Sequence, residues 1–302
     1  MTKKDFPSKY IYGLYSKFSR NISQTPMKIN GKLLYEKSIS DFCKSIAEHF
    51  KAKNVKFISC GREDANVRMV GKRPFLLEIE GGVYNEEKMN INLDKNIKIF
   101  DLVWMKDEIK FIIKNAEMNH YKVYRAMLFI KNLNIHNVES NIPPINLEND
   151  NQFSYNKAIL NMKEKVETFA GNNENHISDD INSFIHSNEN IVDFKQNILE
   201  IQQKTPLRVV HRRSNIFRTK YIELIKLEKL KNGFLIIDLI SSAGAYIKEF
   251  VNGDFGRTKP SLSDFFNNYT DLVELDVLAV EECKIPEEFK LMNVFYECVF
   301  ND

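Results

Sequence analysis

Residues Lys220 to Val251 read KYIELIKLEKLKNGFLIIDLISSAGAYIKEFV. Two apolar-rich runs, Lys220 to Leu230 and Phe234 to Ile240, flank Asn232-Gly233, a pair that tolerates the positive φ a tight turn between antiparallel strands demands. Ala245 to Val251 then reads as a short helix. Strand, turn, strand and helix in that order is not a βαβ unit. It argues for helices packed on a largely antiparallel sheet, an α+β architecture.

The same mixture recurs outward from this stretch. Ile39, Phe42, Ile46, Ala47 and Phe50 give Ser38 to Ala52 a helical stripe, and Val55 to Ser59 follows as a strand before a loop at Gly61. Arg73 to Glu80 and Ile91 to Met105 are strand-like. Lys106 to Met118 carries a helical stripe of Ile109, Ile112, Ile113 and Ala116, and Tyr121 to Ile130 returns to strand. Towards the C-terminus, Leu207 to Arg213 reads as a strand, Ser261 to Phe266 as a helix with a serine start, and Asp271 to Val280 as a strand. No internal repeat is visible.

The chain has 302 residues, 43% of them hydrophobic, enough to bury a full core as one large domain or two joined subdomains. Its net charge of +2 conceals an asymmetry. Glu139 to Glu200 holds eleven acids against four lysines, a net −7, so the remainder carries +9. That Asn-rich stretch is expected to be an insertion dispensable for chemistry. Within it Tyr155 to Phe169 could form a helix, while Gly171 to Asp180 reads as a mobile loop. The cysteines Cys43, Cys60, Cys283 and Cys298 have no CxxC spacing, which predicts neither a disulfide framework nor a metal site. The first residues lack the apolar run of a signal peptide, and no apolar stretch is long enough to span a bilayer. An intracellular protein, cytoplasmic or nuclear, is expected.

Three segments stand out chemically. Gly61-Arg62-Glu63-Asp64-Ala65-Asn66-Val67-Arg68 places acids beside arginines in a loop, which taken alone reads as a structural ion pair. Ser242 to Pro260, SAGAYIKEFVNGDFGRTKP, offers Lys248 on a short helix and the cations Arg257 and Lys259 beyond it. Lys122-Val123-Tyr124-Arg125-Ala126 places Tyr124 on a strand, where a core tyrosine is the plain reading. Two more segments, Tyr15-Ser16-Lys17-Phe18-Ser19-Arg20 with Gln24-Thr25-Pro26, and Gln203 to Arg213 (QKTPLRVVHRR), carry cations dense enough for phosphate contacts through Arg208, Arg212 and Arg213.

Together these segments resemble the archaeal and eukaryotic pseudouridine synthase 10 family. The first is similar to its GRED motif, the second to AGTYIKEFVHGDFGRTKP with Ala245 for Thr and Asn252 for His, and the third to KTYRA with Val123 for Thr. The others resemble YNKYSR, QTPW with Met27 for Trp, and QKTPLRVLHRR. The resemblance runs from about Tyr10 to about Val280. It implies the pseudouridine synthase fold as a single catalytic domain of two sheet subdomains around a basic cleft. It also implies isomerisation of uridine in the tRNA T-loop, at position 55, 54 or both, without a cofactor. Asp64 is then the catalytic carboxylate, Lys248 its cationic partner, and Tyr124 the residue that stacks on the extruded base or takes the C5 proton. Arg62, Arg68, Arg208, Arg212, Arg213, Arg257 and Lys259 become RNA contacts, and the protein a monomer whose partner is tRNA. Family members carry an N-terminal THUMP-type domain with a zinc site, to which nothing upstream of Tyr10 corresponds, so no zinc is expected. A reading of another class is a structured-RNA binder without catalysis, a tRNA chaperone or small-RNA processing partner.

Overall fold

The structure, a computed structural model, describes residues 6–131, 152–168, 177, 180–181, 183–184, 187, 189–194 and 198–301. The expected loop from Gly171 to Asp180 lies, but for residues 177 and 180, outside them. Two compact units divide the chain, one formed by Met1–Asn119 with Glu282–Asp302, the other by His120–Glu281.

In the first unit, β1 (Tyr10–Lys17) runs antiparallel between β5 (Val67–Glu80) and β7 (Ile97–Met105). β4 (Asn54–Ser59) extends the sheet beyond β5, and β15 (Lys290–Asn293) beyond β7. Gly13 allows the close passage of β1, because a Cβ there would fall 2.6 Å from Leu102 and 2.7 Å from Phe75. Phe75 anchors an aromatic cluster, its ring centroid 5.2 Å from Phe57, 5.6 Å from Phe42 and 6.1 Å from Tyr15. Such pairs add about 0.5–1.5 kcal/mol each beyond simple burial. The predicted stripe forms a 3-10 turn, Ile39–Phe42, running into α1 (Cys43–Phe50), with Ile39, Phe42, Ile46 and Phe50 buried. On α2 (Ile109–Asn119), Ile109, Ile113 and Ala116 pack with Tyr10, Cys60, Leu76 and Met105.

The expected single strand from Ile91 to Met105 is broken in two. Asp94 Oδ1 accepts the Asn96 N–H at 2.8 Å, an Asx turn that reverses the chain between β6 (Met89–Asp94) and β7. β6 instead pairs in parallel with β16 (Tyr296–Asn301). A two-residue-armed hairpin, β2 (Lys28–Ile29) with β3 (Lys32–Leu33), completes this unit.

The second unit is one antiparallel sheet. Its order is β13 (Thr258–Lys259), β10 (Ile198–Lys204), β11 (Phe217–Lys229), β12 (Phe234–Ser241), β8 (Lys122–Ile130), β14 (Thr270–Val280), with β9 (Ile191–Asp193) also on β11. Asn232 and Gly233 adopt φ of 60° and 79° in the expected turn. Helices occupy Ile247–Asn252 and Leu262–Phe265; Ser261 caps the second by accepting the Asp264 N–H at 3.2 Å.

One expectation is corrected here. Leu207–Arg212 is a 3-10 helix rather than a strand. Pro206 fixes φ at −56°, and the Leu207 N–H bonds to Asp254 Oδ2 at 3.1 Å instead of entering a ladder. The stretch Glu139 to Glu200, expected to be an insertion dispensable for chemistry, contributes to the fold. It supplies α3 (Gln152–Thr168), whose Ile159 and Met162 are buried, all of β9 and the start of β10. Lys163 bonds to Glu281 at 2.6 Å, and Lys229 Nζ donates to the Ser187 carbonyl at 2.8 Å. Among its described residues Ile177, Ile181, Phe184 and Phe194 are buried as well. Among the described residues no helix is long and apolar enough to cross a membrane.

Candidate active site

Asp64 lies on the loop joining β4 to β5, closed by a bond from the Val67 N–H to the Asp64 carbonyl at 3.0 Å. Gly61 enters it at φ 83°, a conformation that favours glycine. Beneath the loop sits a polar network of a kind rarely buried without reason. Glu63 is buried, with Oε2 2.9 Å from Arg73 Nε, and both side chains are sealed from solvent. The Tyr15 hydroxyl donates to Glu63 at 2.9 Å and accepts from Gln24 Nε2 at 2.8 Å. Burial, and then the Glu63 carboxylate, push the Tyr15 phenol far above its ordinary range, so it stays a donor. Arg73 Nη1 donates to the Cys60 carbonyl at 3.0 Å, and Gln24 Nε2 to the Gly61 carbonyl at 3.1 Å.

Lys17, at the end of β1, is fully buried and reaches the loop from the other side. Its ammonium donates to the carbonyls of Ile22 at 2.9 Å, Ala65 at 2.8 Å and, more weakly, Asp64 at 3.4 Å. Burial lowers its pKa to about 8 despite the opposing pull of Glu63. The result is a fixed backbone on which neighbouring acids part ways. Glu63 points into the core, and Asp64 stays half-exposed.

In the second unit, Tyr124 sits on β8 between Leu239 of β12 and Val277 of β14, 9% exposed. Its neighbour Arg125 faces the opposite side of the sheet and forks onto Asp238 with two bonds of 2.7 Å. Lys248 occupies the first turn of the Ile247–Asn252 helix, half-buried. Gln203 of β10 fixes the start of that helix, accepting the Tyr246 N–H at 2.9 Å and donating to the Tyr246 carbonyl at 3.0 Å. Gly253 ends it at φ 80°.

The arginines and lysines expected to meet RNA differ in what they touch. Arg62 is exposed on the Asp64 loop, and Arg68 is half-buried on β5. Arg208 donates to Glu249 at 2.7 Å, whose other carboxylate oxygen is buried and has no hydrogen-bond partner among the described residues. Arg213 is exposed and donates to the Tyr246 hydroxyl at 2.9 Å. Arg212 lies on the 3-10 helix. Arg257 bonds to the Thr205 carbonyl and Asn215 Oδ1, both at 2.6 Å, tying the 205 and 215 segments together. Lys259 is exposed on the edge strand β13. Sequence reasoning singled out the segments holding Tyr15, Lys17, Gln24 and Gln203 but not what these residues do. The signal was a polar residue inside an otherwise buried run, Lys17 above all. Cys60 and Cys283, far apart in sequence, also share the core cluster under α2.

Comparison with known proteins covers most of the chain. A family model described as "Pus10, C-terminal" matches residues 10–149 and 149–281. The human tRNA pseudouridine synthase Pus10 is 32% identical over 286 residues, 90% of this chain and 44% of its own. The protein of that name from Methanosphaera stadtmanae is 30% identical, over 92% of this chain and 60% of its own. The chain thus spans about half the length of the curated relatives it matches. Among solved structures, the crystal structure of a Cbf5-Nop10-Gar1 complex overlaps 88% of this chain and 47% of that one, at 14% identity and a TM-score of 0.35.

Proposed function

The chain belongs to the Pus10 C-terminal family, and from that premise we propose that it is the catalytic part of a tRNA pseudouridine synthase acting on uridine 55, 54 or both in the T-loop. The reaction breaks the bond from uracil N1 to the ribose, turns the base, and joins C5 to the same sugar carbon. A carboxylate must be presented to the sugar at fixed geometry, to attack the anomeric carbon or to remove a neighbouring proton. The supporting observation is the Asp64 loop. Lys17, Gln24 and Arg73 hold main-chain carbonyls of the loop and of its approach, and Asp64 is left half-exposed.

In this reading Asp64 is the catalytic carboxylate and Lys248 the cation that keeps it ionised when water is excluded. Tyr124 stacks on the flipped base or takes the C5 proton. No step calls for a cofactor. The enzyme works as a monomer in the cytoplasm or nucleus, recognising the fold of the tRNA and holding it through phosphate contacts.

The test is incubation with an unmodified tRNA transcript, followed by carbodiimide mapping of pseudouridine. Wild type should give a stop at position 54 or 55, and Asp64→Asn none, although it binds the transcript equally well. Isomerisation by Asp64→Asn near the wild-type rate would remove Asp64 from the chemistry. Binding without any product from wild type would leave a structured-RNA binder instead.

A further inference from the structure

Residues 253–256 form a run in which every φ is positive: Gly253 80°, Asp254 44°, Phe255 57° and Gly256 82°. Glycine accepts this region freely and aspartate tolerates it, but a phenylalanine there is strained. Burial does not compensate, because Phe255 is 94% exposed. Its conformation is imposed from both sides. The Asp254 N–H bonds to Asn252 Oδ1 at 2.9 Å, and the Gly256 and Thr258 N–H groups return to the Gly253 carbonyl at 2.9 and 3.1 Å. Asp254 Oδ2 accepts the Leu207 N–H, which ties the run to the 3-10 helix. A rigid frame therefore projects an aromatic ring into water, and strained residues so over-determined gather at functional sites.

The surroundings indicate what the ring meets. Leu207, Ile216 and Phe217 are exposed as well, Phe217 at 62%. The Thr205 N–H bonds to the Ile216 carbonyl and the Lys204 N–H to the Arg257 carbonyl, so these segments adjoin the run. Cations are interleaved with them. Lys204 Nζ lies 5.2 Å from the Phe217 ring centre, and Lys259 Cε comes within 3.7 Å of where a Gly256 Cβ would stand. The one acid of the run, Asp254, is turned inward to Leu207 and Arg257. Exposed aromatic faces alternating with lysines suit unpaired nucleotides, stacked by base and held by phosphate. An apolar protein partner would have no use for such charge.

We propose that Phe255 and Phe217, with Lys204 and Lys259, form a stacking platform for unpaired nucleotides of the substrate RNA, distinct from the uridine that is isomerised. This rests on the reading of the chain as an RNA-modifying enzyme. A base undergoing chemistry needs an enclosing pocket, whereas Phe255 has open solvent around it.

The experiment uses the whole chain as Phe255→Gly, Phe255→Trp and Lys259→Met, reading melting temperature, Kd for a tRNA transcript across salt, and KM and kcat for pseudouridine formation. Phe255→Gly should melt at or above the wild-type temperature, because it relieves a positive φ, yet bind RNA about tenfold more weakly. Its salt slope should be unchanged, since stacking releases no counterions, while Lys259→Met should lower that slope by about one. Phe255→Trp should bind as well as wild type, and KM should follow Kd with kcat constant. A Phe255→Gly variant that folds and keeps wild-type Kd and KM overturns the platform, as does a wild type that fails to bind the transcript. If wild type forms no pseudouridine while Phe255→Gly still weakens binding, the enzymatic reading falls and the platform stands.

Discussion

Glu63→Gln separates the frame beneath the Asp64 loop from the chemistry proposed for Asp64. The substitution keeps shape and an acceptor for Tyr15, but leaves the Arg73 guanidinium, 1% exposed, without its counter-charge at 2.9 Å. Breaking a buried pair from one side costs about 3–5 kcal/mol, because the surviving charge is stranded in low dielectric. At about 2–4 °C per kcal/mol the melting temperature should fall by roughly 6–20 °C. Removing both charges in Glu63→Gln/Arg73→Met should recover much of that loss, since an absent ion needs no partner. Thermal melts of the two single variants and the double variant provide the cycle. Assayed well below its own midpoint, Glu63→Gln should still form pseudouridine, the inverse of the outcome expected for Asp64→Asn, which should stay stable and lose activity. A Glu63→Gln protein melting within about 2 °C of wild type, or a double variant whose losses simply add, would refute the buried pair as the loop's foundation.

Lys17 gives a pH signature. Unfolded, it holds its proton to 10.5, whereas folded it releases it near 8, so between those values the unfolded chain binds more protons and stability rises with pH. Urea titrations of wild type and Lys17→Met at several pH values should show the difference moving in favour of wild type above pH 8, by at most about 1.4 kcal/mol per pH unit. A flat difference would contradict the burial. Met162→Asp should unfold the second unit at ordinary temperature, as an uncompensated charge beneath α3 costs several kcal/mol; a native melting curve would show that α3 is an accessory after all. On the proposed pairing with Asp64, Lys248→Met should bind RNA normally and lower kcat most at acidic pH, because a carboxylate deprived of a cationic partner holds its proton more tightly. A pH profile parallel to wild type would discount that pairing.

What could be read in the sequence depended on whether the deciding interaction was local. The β11–β12 hairpin was legible because Asn232-Gly233 determines it within four residues, and the Leu262–Phe265 helix because Ser261 and Asp264 cap it reciprocally. Leu207 to Arg212 was misread because alternating apolar residues look alike in a strand and in a 3-10 turn, and Asp254, which decides between them, is 47 positions away. β10 was hidden because its first residues lie inside an acidic, Asn-rich composition. Charge density does not reveal which cations also bond within the chain. Arg208 and Arg257 stand in a basic stretch, yet Glu249 and the Thr205 carbonyl take much of their hydrogen bonding. The Asp64 motif was legible as a resemblance, but its support was not, since a lysine sealed inside a strand runs against every expectation for that side chain.

The first unit is interrupted: its last two strands, β15 and β16, follow the whole of the second unit along the chain. On a ribosome they emerge only after His120–Glu281 has been made. Bringing them back across a flexible chain of roughly 160 residues would cost about 4–5 kcal/mol of closure entropy. The second unit removes that cost by its own folding, because Lys122 and Val280 are register partners and the Glu281 N–H bonds to the Tyr121 carbonyl at 3.0 Å. Once folded it acts towards its host as a tight turn would, returning the chain beside the point where it left. Synthesis order and folding order then run opposite ways. The unit that starts first finishes last, and the parallel pairing of β16 with β6 closes the molecule.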